Sequence, residues 1–239
     1  MLKIAFDGTD YHGWQIQPNC KTVQSVLQNS LETMLKTNIS VTGCSRTDAG
    51  VHAKEFVCHF LCEDSIPEIA FLTGLNSLLP DDIAVLSAEK ADDDFHARYS
   101  CVKKTYVYNF YCGLKDPFKS RYSVNIKRKP DICLANEFCK SIIGTHDFIA
   151  FSGSKRSVNS TIRTIFDCSF EKKENDFKLT VTGDGFLYNM VRIIAGSAYE
   201  AGCGLKSADI ANKAFISLDR DDLGITFPPQ GLTLEKVYY

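Results

Sequence analysis

The sequence predicts an α+β fold, from two kinds of periodic pattern and from its composition. Segments of alternating apolar and polar residues favour strands, and segments with apolar residues three or four positions apart favour helices. The two kinds interleave along 239 residues, of which 44% are hydrophobic and 23% are charged. This composition is typical of a globular protein with a substantial core, built as one large domain or as two smaller halves.

The first half alternates strands and helices. Apolar residues at helical spacing follow Thr22, which is suited to cap a helix from Val23 to Leu35. A further helix is expected near residues 68–78, and strands are expected at residues 3–6, 39–44, 55–62 and 83–87. The order strand, helix, strand, strand, helix, strand matches a ferredoxin-like unit, in which an antiparallel sheet carries its helices on one face.

The second half is less regular but also mixes strands and helices. Strands are expected at residues 105–111, 164–170 and 177–182, and helices near residues 131–143, 188–201 and 208–217. Alternation after Gly231 predicts a last strand at the C-terminus. Because no Pro-, Gly- or Ser-rich linker divides the chain, we expect halves 1–102 and 103–239 to share one sheet or core.

The ten cysteines suggest disulfides or a zinc site, but other features of the sequence argue against both, and the hydropathy argues against a membrane protein. The N-terminus leads into folded-looking sequence without a signal peptide, so we expect reduced thiols in the cytoplasm. Cys58 and Cys62 are predicted on one strand, where four residues span about 13 Å, too far to share a zinc ion. No apolar run approaches the roughly 18 residues that cross a bilayer.

Charge alone gives an ambiguous answer about nucleic acid. The net charge is −2, whereas phosphate binding usually requires an excess of basic residues. Basic residues nevertheless cluster at Lys103-Lys104, Lys119 with Arg121, Lys127-Arg128-Lys129 and Lys155-Arg156. They indicate either a basic binding face or ordinary solvated surface.

The segment from Arg46 to His52 is the best candidate for chemistry, because it places a guanidinium, the carboxylate of Asp48 and an imidazole between two predicted strands. The sequence lacks the common phosphate-loop, dinucleotide, zinc-protease and serine-hydrolase motifs. Polar loops on a rigid scaffold often carry function. The alternative interpretation is a tight turn at Asp48, Ala49 and Gly50 with its charges in solvent.

A resemblance to a known family favours function for this segment. Residues 45–53, Ser-Arg-Thr-Asp-Ala-Gly-Val-His-Ala, resemble the active-site signature of the tRNA pseudouridine synthase A family, which usually has Gly where this chain has Ser45. Similar stretches follow the family order at residues 6–8, 13–17, 22–24, 76, 79–83, 95–98, 104–108, 144–148 and 190–192. Ile16, within Gly-Trp-Gln-x-Gln, is a second departure.

The resemblance implies an enzyme that isomerises uridine to pseudouridine at positions 38, 39 and 40 of the tRNA anticodon stem-loop, without a cofactor. It also implies two ferredoxin-like halves around a shared, mainly antiparallel sheet, and a homodimer that binds the tRNA anticodon arm. Two copies would double the basic surface, which would answer the objection from net charge.

The same resemblance assigns roles to single residues. Asp48 is the nucleophile, Arg192 lies beside it, and Tyr106 stacks on the target uracil, a contact worth about 1–3 kcal/mol. Burial would raise the pKa of such a carboxylate and a paired arginine would lower it. Arg46 is expected to hold the RNA around the extruded uridine.

Each assignment has a structural alternative. Tyr106 could be a core aromatic, as we expect for Tyr108. Arg192 could lie at a helix surface, and Arg46 could form a structural ion pair. For His52 we favour a hydrogen bond that braces the loop over a part in catalysis.

Three other functions are compatible with the sequence. A related synthase could modify other uridines, because residues 16 and 45 depart from the family pattern. A noncatalytic tRNA-binding or tRNA-folding factor would not need Asp48, Tyr106 and Arg192 together. A ferredoxin-like interaction module would not bind RNA in a salt-dependent manner.

Overall fold

The computed structural model describes residues 1–62, 66–153 and 160–239 and has the predicted α+β fold. The chain forms two compact units. Unit 1 comprises residues 1–102 and 233–239, and unit 2 comprises residues 103–232.

Helices and strands interleave along both parts of the chain. Residues 1–102 form β1 (Leu2–Phe6), α1 (Val23–Leu35), β2 (Thr42–Gly43), β3 (His52–His59), α2 (Glu68–Ala70), a π-helical segment (Phe71–Leu75), α3 (Asn76–Leu78) and β4 (Ile83–Ala88). Residues 103–239 form β5 (Lys103–Cys112), β6 (Val124–Ile126), α4 (Ile132–Ser141), β7 (Gly144–Asp147), a 3-10 turn (Ile149–Phe151), β8 (Ile162–Lys173), β9 (Asp176–Gly183), α5 (Met190–Gly202), α6 (Ile210–Ser217), two 3-10 turns (Arg220–Asp222 and Pro229–Gly231) and β10 (Leu232–Tyr238).

Unit 1 has the strand order of a ferredoxin-like fold. Its antiparallel strands lie in the order β4-β1-β3-β2. The C-terminal strand β10 also pairs with β3, but in parallel, with Thr233 opposite His52. Strand β2 pairs with the other end of β3, at His59 and Cys58. The short pairings of β3 with β10 and with β2 therefore do not overlap and lie along the same edge of β3.

Helix α1 confirms both the predicted helix and its cap. The Thr22 hydroxyl accepts a hydrogen bond from the Ser25 backbone N–H at 3.2 Å, and the Ser25 hydroxyl accepts one from the Thr22 N–H at 3.2 Å. This reciprocal arrangement satisfies donors that the first turn would otherwise leave unpaired. The helix buries Val23, Leu27 and Leu31 on one face, as the spacing predicts.

The strand predicted at residues 39–44 was wrong in length, because only Thr42 and Gly43 pair as a strand. The backbone before them is satisfied by side chains of α1 instead. The Ile39 N–H donates to Glu32 Oε1 at 3.2 Å, and the Val41 carbonyl accepts from Gln24 Nε2 at 2.8 Å. Apolar side chains in this segment are buried without a ladder, so alternation alone overstated the strand.

Strand β3 begins and ends three residues before the predicted strand at 55–62. Its main partner sets this limit, because β1 starts at Leu2, which lies opposite Cys58. The helix predicted near residues 68–78 is present, interrupted by the π-helical segment. Within it, the Asn76 side-chain amide bonds both the N–H and the carbonyl of Val85, which docks α3 onto β4.

In unit 2 the strands lie in the order β6-β5-β9-β8-β7, and all neighbours except β5 and β6 are antiparallel. The succession β5, α4, β8, β9, α5, with β9 between β5 and β8, repeats the first five elements of a ferredoxin-like unit. Strands β6 and β7 were not predicted, because they are only three and four residues long.

Two glycines of unit 1 let the segment from Gly8 to Trp14 pack directly on the loop between β2 and β3. A Cβ at Gly13, whose φ is +81°, would lie 2.3 Å from the Thr47 carbonyl oxygen. A Cβ at Gly8 would lie 1.9 Å from the Val51 carbonyl oxygen. Contacts this short exclude any side chain, so backbone meets backbone at both positions.

We predict that Gly13→Ala lowers the free energy of unfolding by at least about 2 kcal/mol, because it adds a backbone clash to left-handed strain. The matched control is Gly204→Ala, since Gly204 also has a positive φ of +66° but nothing within 4 Å of its Cβ position. That substitution should cost only about 1 kcal/mol. Urea denaturation measures both, and equal losses would show that the contact with Thr47 adds nothing.

Candidate active site

Asp48 opens a tight turn in the loop between β2 and β3. The Val51 N–H donates to the Asp48 carbonyl at 3.2 Å, and Gly50, at the third position of the turn, has the positive φ of +77° that a type II turn requires. The turn that we considered as an alternative is therefore present. The Asp48 residue, however, is half-buried. It is therefore not a fully solvated turn residue, and the turn fixes the backbone that carries its side chain.

Two further backbone hydrogen bonds fix this turn to the segment from Gly8 to Trp14. The Trp14 N–H donates to the Thr47 carbonyl at 3.2 Å, and the Gly50 N–H donates to the Tyr11 carbonyl at 3.3 Å. The Trp14 ring is buried and lies 4.2 Å from the Phe56 ring, between centroids. The residues on both sides of Asp48 are thereby anchored to the core of unit 1.

Tyr11 and Asp82 are supports that the sequence did not single out. The Tyr11 hydroxyl donates to Asp82 Oδ1 at 2.5 Å, and the Asp82 carbonyl accepts from the Asp7 N–H at 2.9 Å. Burial, followed by the hydrogen bond to Asp82, raises the pKa of Tyr11 above its ordinary value, so the hydroxyl stays a donor near neutral pH. Asp82 lies within the family-like stretch 79–83, and Tyr11 lies between the stretches 6–8 and 13–17. This resemblance is the sequence signal that could have identified them as supports.

His52, the first residue of β3, contacts the loop that follows β1. Its ring is buried, and Nδ1 lies 3.1 Å from the Gly8 backbone nitrogen and 3.0 Å from Asp7 Oδ1. One nitrogen serves one of these partners at a time, because a neutral Nδ1 accepts from Gly8 whereas a protonated Nδ1 donates to Asp7. Either state holds the loop that carries Asp7 and Gly8, which supports our preference for a bracing role.

Arg46 is exposed and forms no hydrogen bond or ion pair with the part of the chain that the structure describes. The structural ion pair that the sequence allowed therefore has no partner within residues 1–62, 66–153 and 160–239.

Tyr106 lies in unit 2, on β5 opposite Val181 of β9. It is 5% exposed, and its ring meets the Phe186 ring edge-on, with centroids 5.2 Å apart. Tyr108, two residues on and on the same face, is fully buried, and its hydroxyl donates to the Pro228 carbonyl at 2.5 Å. Tyr108 is thus the core aromatic that we expected, and Tyr106 is also buried, with its ring in contact with the Phe186 ring.

Arg192 is half-buried in the first turn of α5 in unit 2. Nε donates to the Phe227 carbonyl and Nη1 donates to Asn189 Oδ1, each at 2.7 Å. Asn189, at the start of the helix, has a left-handed φ of +60°. Two directional bonds fix the planar guanidinium within its own unit, so Arg192 is not a mobile surface arginine.

The sequence-predicted residues therefore divide between the units. Arg46, Asp48 and His52 lie in one loop-to-strand segment of unit 1, and Tyr106 and Arg192 lie in unit 2. Of the basic clusters, Lys119, Arg121 and residues 127–129 are on the surface of unit 2, Lys104 is buried, and Lys155-Arg156 lies outside the described residues.

The cysteines are all thiols in the structure. Cys58 lies in β3 but Cys62 lies beyond its end, so the prediction that both share one strand was wrong. Within the described ranges, no three His, Cys, Asp or Glu side chains are grouped to hold a metal ion, and no helix has the length and hydropathy to cross a membrane.

Comparison with known proteins identifies the family. The family model described as tRNA pseudouridine synthase matches residues 3–100 and 138–239, which include Arg46, Asp48, His52 and Arg192 but not Tyr106. A Clostridium perfringens protein named tRNA pseudouridine synthase A 2 is 41% identical, and a Clostridium kluyveri tRNA pseudouridine synthase A is 44% identical; each alignment covers 100% of this chain and 98% of the relative.

A third relative, the Bacillus subtilis tRNA pseudouridine synthase A, is 43% identical over 99% of this chain and 97% of its own length. With full-length matches at this identity and a family model that covers both units, the chain belongs to the tRNA pseudouridine synthase family.

Proposed function

We propose that this protein isomerises uridine to pseudouridine in the anticodon stem-loop of tRNA, at positions 38, 39 and 40, with Asp48 as nucleophile. The observation that carries the proposal is the half-buried carboxylate of Asp48 on a turn that three backbone hydrogen bonds hold, in a chain of this family. The three relatives are all tRNA pseudouridine synthases by name, which supports tRNA as the substrate.

The reaction suits a carboxylate. The bond between uracil N1 and ribose C1′ breaks, the uracil turns, and C5 joins C1′; the C5 proton leaves and N1 gains a proton. Atoms and electrons balance without an oxidant, reductant or cofactor. An aspartate is ionised near neutral pH and can attack either the ribose or the ring without a partner base.

The support around Asp48 has a chemical consequence. A nucleophile must meet its target within a few tenths of an ångström and with a defined direction. Three backbone hydrogen bonds hold the loop around Asp48: Val51 to Asp48, Trp14 to Thr47 and Gly50 to Tyr11. The position of Asp48 therefore depends on backbone contacts rather than on long, flexible side chains. The loop is therefore organised before RNA binds.

The other site residues take distinct roles in the proposal. Tyr106 stacks on the uracil, the role that the resemblance of residues 104–108 to the family implies. Arg192 serves as the cation that keeps Asp48 ionised, and its fixed guanidinium suits a counterion. Arg46, exposed beside the turn, contacts the RNA around the extruded uridine. We also propose that the protein is a cytoplasmic homodimer. Sedimentation velocity would measure the mass of the assembly.

We expect Asp48→Asn to abolish pseudouridine formation while leaving the unfolding transition unchanged, because it removes the charge but keeps the turn. Tritium released from C5 of labelled uridine in unmodified tRNA measures turnover, and carbodiimide treatment with primer extension maps the product. The control is Asp81→Asn, at an exposed aspartate of unit 1. Product formed by Asp48→Asn would refute the nucleophile, and product only outside the anticodon stem-loop would refute the site but not the reaction.

Stacking by Tyr106 predicts a difference between two substitutions. Tyr106→Leu should lower kcat/KM by about 5- to 150-fold, the equivalent of the 1–3 kcal/mol that an aromatic contributes per stacked base. Tyr106→Phe keeps the ring and should stay near wild type if stacking is the whole role. If Tyr106→Phe loses as much as Tyr106→Leu, the hydroxyl acts in proton transfer and stacking does not explain the residue.

Arg192→Gln should reduce turnover while RNA affinity changes little. Without the cation, the pKa of Asp48 rises, so the ionised and active form is lost at low pH and the acid limb of the pH–rate profile moves to higher pH. Arg192→Lys should restore part of the activity. The control is Arg220→Gln, at another half-buried arginine of unit 2, which bonds Thr226. An acid limb that does not move in Arg192→Gln would reject the counterion role.

A further inference from the structure

Unit 2 contains a pocket at the end of its sheet where β8 turns into β9. There Tyr111 of β5 and Lys173 of β8 both lie opposite Asp176 of β9, and the Cys112 N–H donates to the Asn175 carbonyl. The segment 113–123 leaves β5 at this end and returns as β6, parallel to β5. Strands and segment border an open pocket of about 420 Å³, a size typical of small-molecule sites.

Two exposed aromatic side chains line this pocket. Phe118 is 92% exposed and Tyr122 is 48% exposed. The segment that carries Phe118 is nonetheless well held, because Asp116 Oδ1 accepts from the Phe118 N–H at 2.9 Å and the Asn125 amide donates to the Gly113 carbonyl at 3.0 Å. A large apolar ring held in solvent by a structured loop is typical of a binding surface.

The charges around the pocket favour an anion. Lys119 pairs with Asp176 at 2.6 Å and Lys178 pairs with Glu171 at 2.9 Å, so these two cations are held in place. Lys173, also in the lining, forms no ion pair with the residues that the structure describes. Segment 113–129 carries six basic residues and one acidic residue, and its last three, Lys127-Arg128-Lys129, are exposed.

The net charges of the two units also favour an anion on unit 2. Unit 2 holds 19 of the 27 basic and 14 of the 29 acidic residues, a net charge of +5, and unit 1 holds the other 8 and 15, a net charge of −7. The excess of positive charge is therefore confined to the unit that carries the pocket. Residues 101–137, which include Phe118 and Tyr122, also lie outside the segments that the family model matches.

We propose that this pocket binds one unpaired nucleotide of the RNA substrate, separate from the uridine that reacts. The base stacks on the Phe118 and Tyr122 rings, and Lys173 and the exposed basic residues of segment 113–129 contact the adjoining phosphates. The proposal rests on the proposed function only in taking RNA as the partner.

A second copy of the chain suits this surface less well than RNA. In a symmetric dimer with this pocket at the two-fold axis, the basic segment 113–129 would lie against its own copy. Repulsion between like charges opposes that contact, whereas a polyanion neutralises it. The alternation of aromatic and basic side chains is also the pattern that single-stranded RNA requires.

The test measures binding of a fluorescein-labelled uridine-rich RNA oligonucleotide by anisotropy at several salt concentrations. Phe118→Ala should weaken binding about 5- to 150-fold. Lys173→Gln should lower the slope of log affinity against log salt by about 0.7, the value for one phosphate contact on a single strand. Controls are Leu114→Ala, 93% exposed on the same segment, and Lys172→Gln, adjacent in β8; both should bind like wild type.

The outcomes separate this proposal from the proposed function. Binding is measured without turnover, so loss of affinity in Phe118→Ala supports the pocket even if the protein makes no pseudouridine. With tRNA as substrate, Phe118→Ala should raise KM and leave kcat unchanged, which a merely misfolded variant would not do. Equal affinity for Phe118→Ala and Leu114→Ala would overturn the proposal. So would dissociation of a wild-type dimer by Phe118→Ala in sedimentation velocity, which would assign the pocket to a second copy.

Discussion

The backbone contact of Gly13 and Trp14 with Thr47 is the constraint on which the organisation of unit 1 depends. The carbonyls of Gly13 and Trp14 accept from the first two N–H groups of α1, at Val23 and Gln24, and the Trp14 N–H donates to Thr47 on the other side. The first turn of α1 and the residue before Asp48 are thus linked through two residues. Because Gly13 has no Cβ, its backbone packs directly against the backbone of Thr47. This close contact restricts the position of Thr47 relative to the start of α1.

This link connects several of the family-like stretches of unit 1 with the loop that carries Asp48. Three such stretches are distant from Asp48 in sequence but are connected to its loop. Asp7 and Gly8 contact His52, and Trp14 bonds Thr47. Val23 and Gln24, at the start of α1, bond Gly13 and Trp14. Such residues need not touch substrate. They restrict the alternative conformations that a polar loop would otherwise sample, which lowers the entropic cost of positioning a side chain in that loop.

Local patterns in the sequence were sufficient for the fold class but not for the site's supports. Helix α1 was predictable because its spacing and its Thr22 cap lie within one stretch of chain. The strand at 39–44 was overestimated because Gln24 and Glu32, on a helix, take hydrogen bonds that a strand would have made. The bond between Tyr11 and Asp82 joins residues 71 positions apart, and no local pattern reports such a pairing. Asp48 itself came from a resemblance, since its chemistry alone also fitted a turn.

The unequal charges of the two units bear on how a protein with a net charge of −2 recognises RNA. Taken as a total, that charge opposes RNA binding, and doubling of the basic surface by a second copy is one answer. The distribution supplies another, because long-range attraction depends on local potential rather than on the total. Unit 1, at −7, repels phosphates while it carries Asp48, and unit 2, at +5, attracts them. In the function that we propose, the acidic unit supplies the nucleophile Asp48, and the basic unit supplies most of the affinity for RNA.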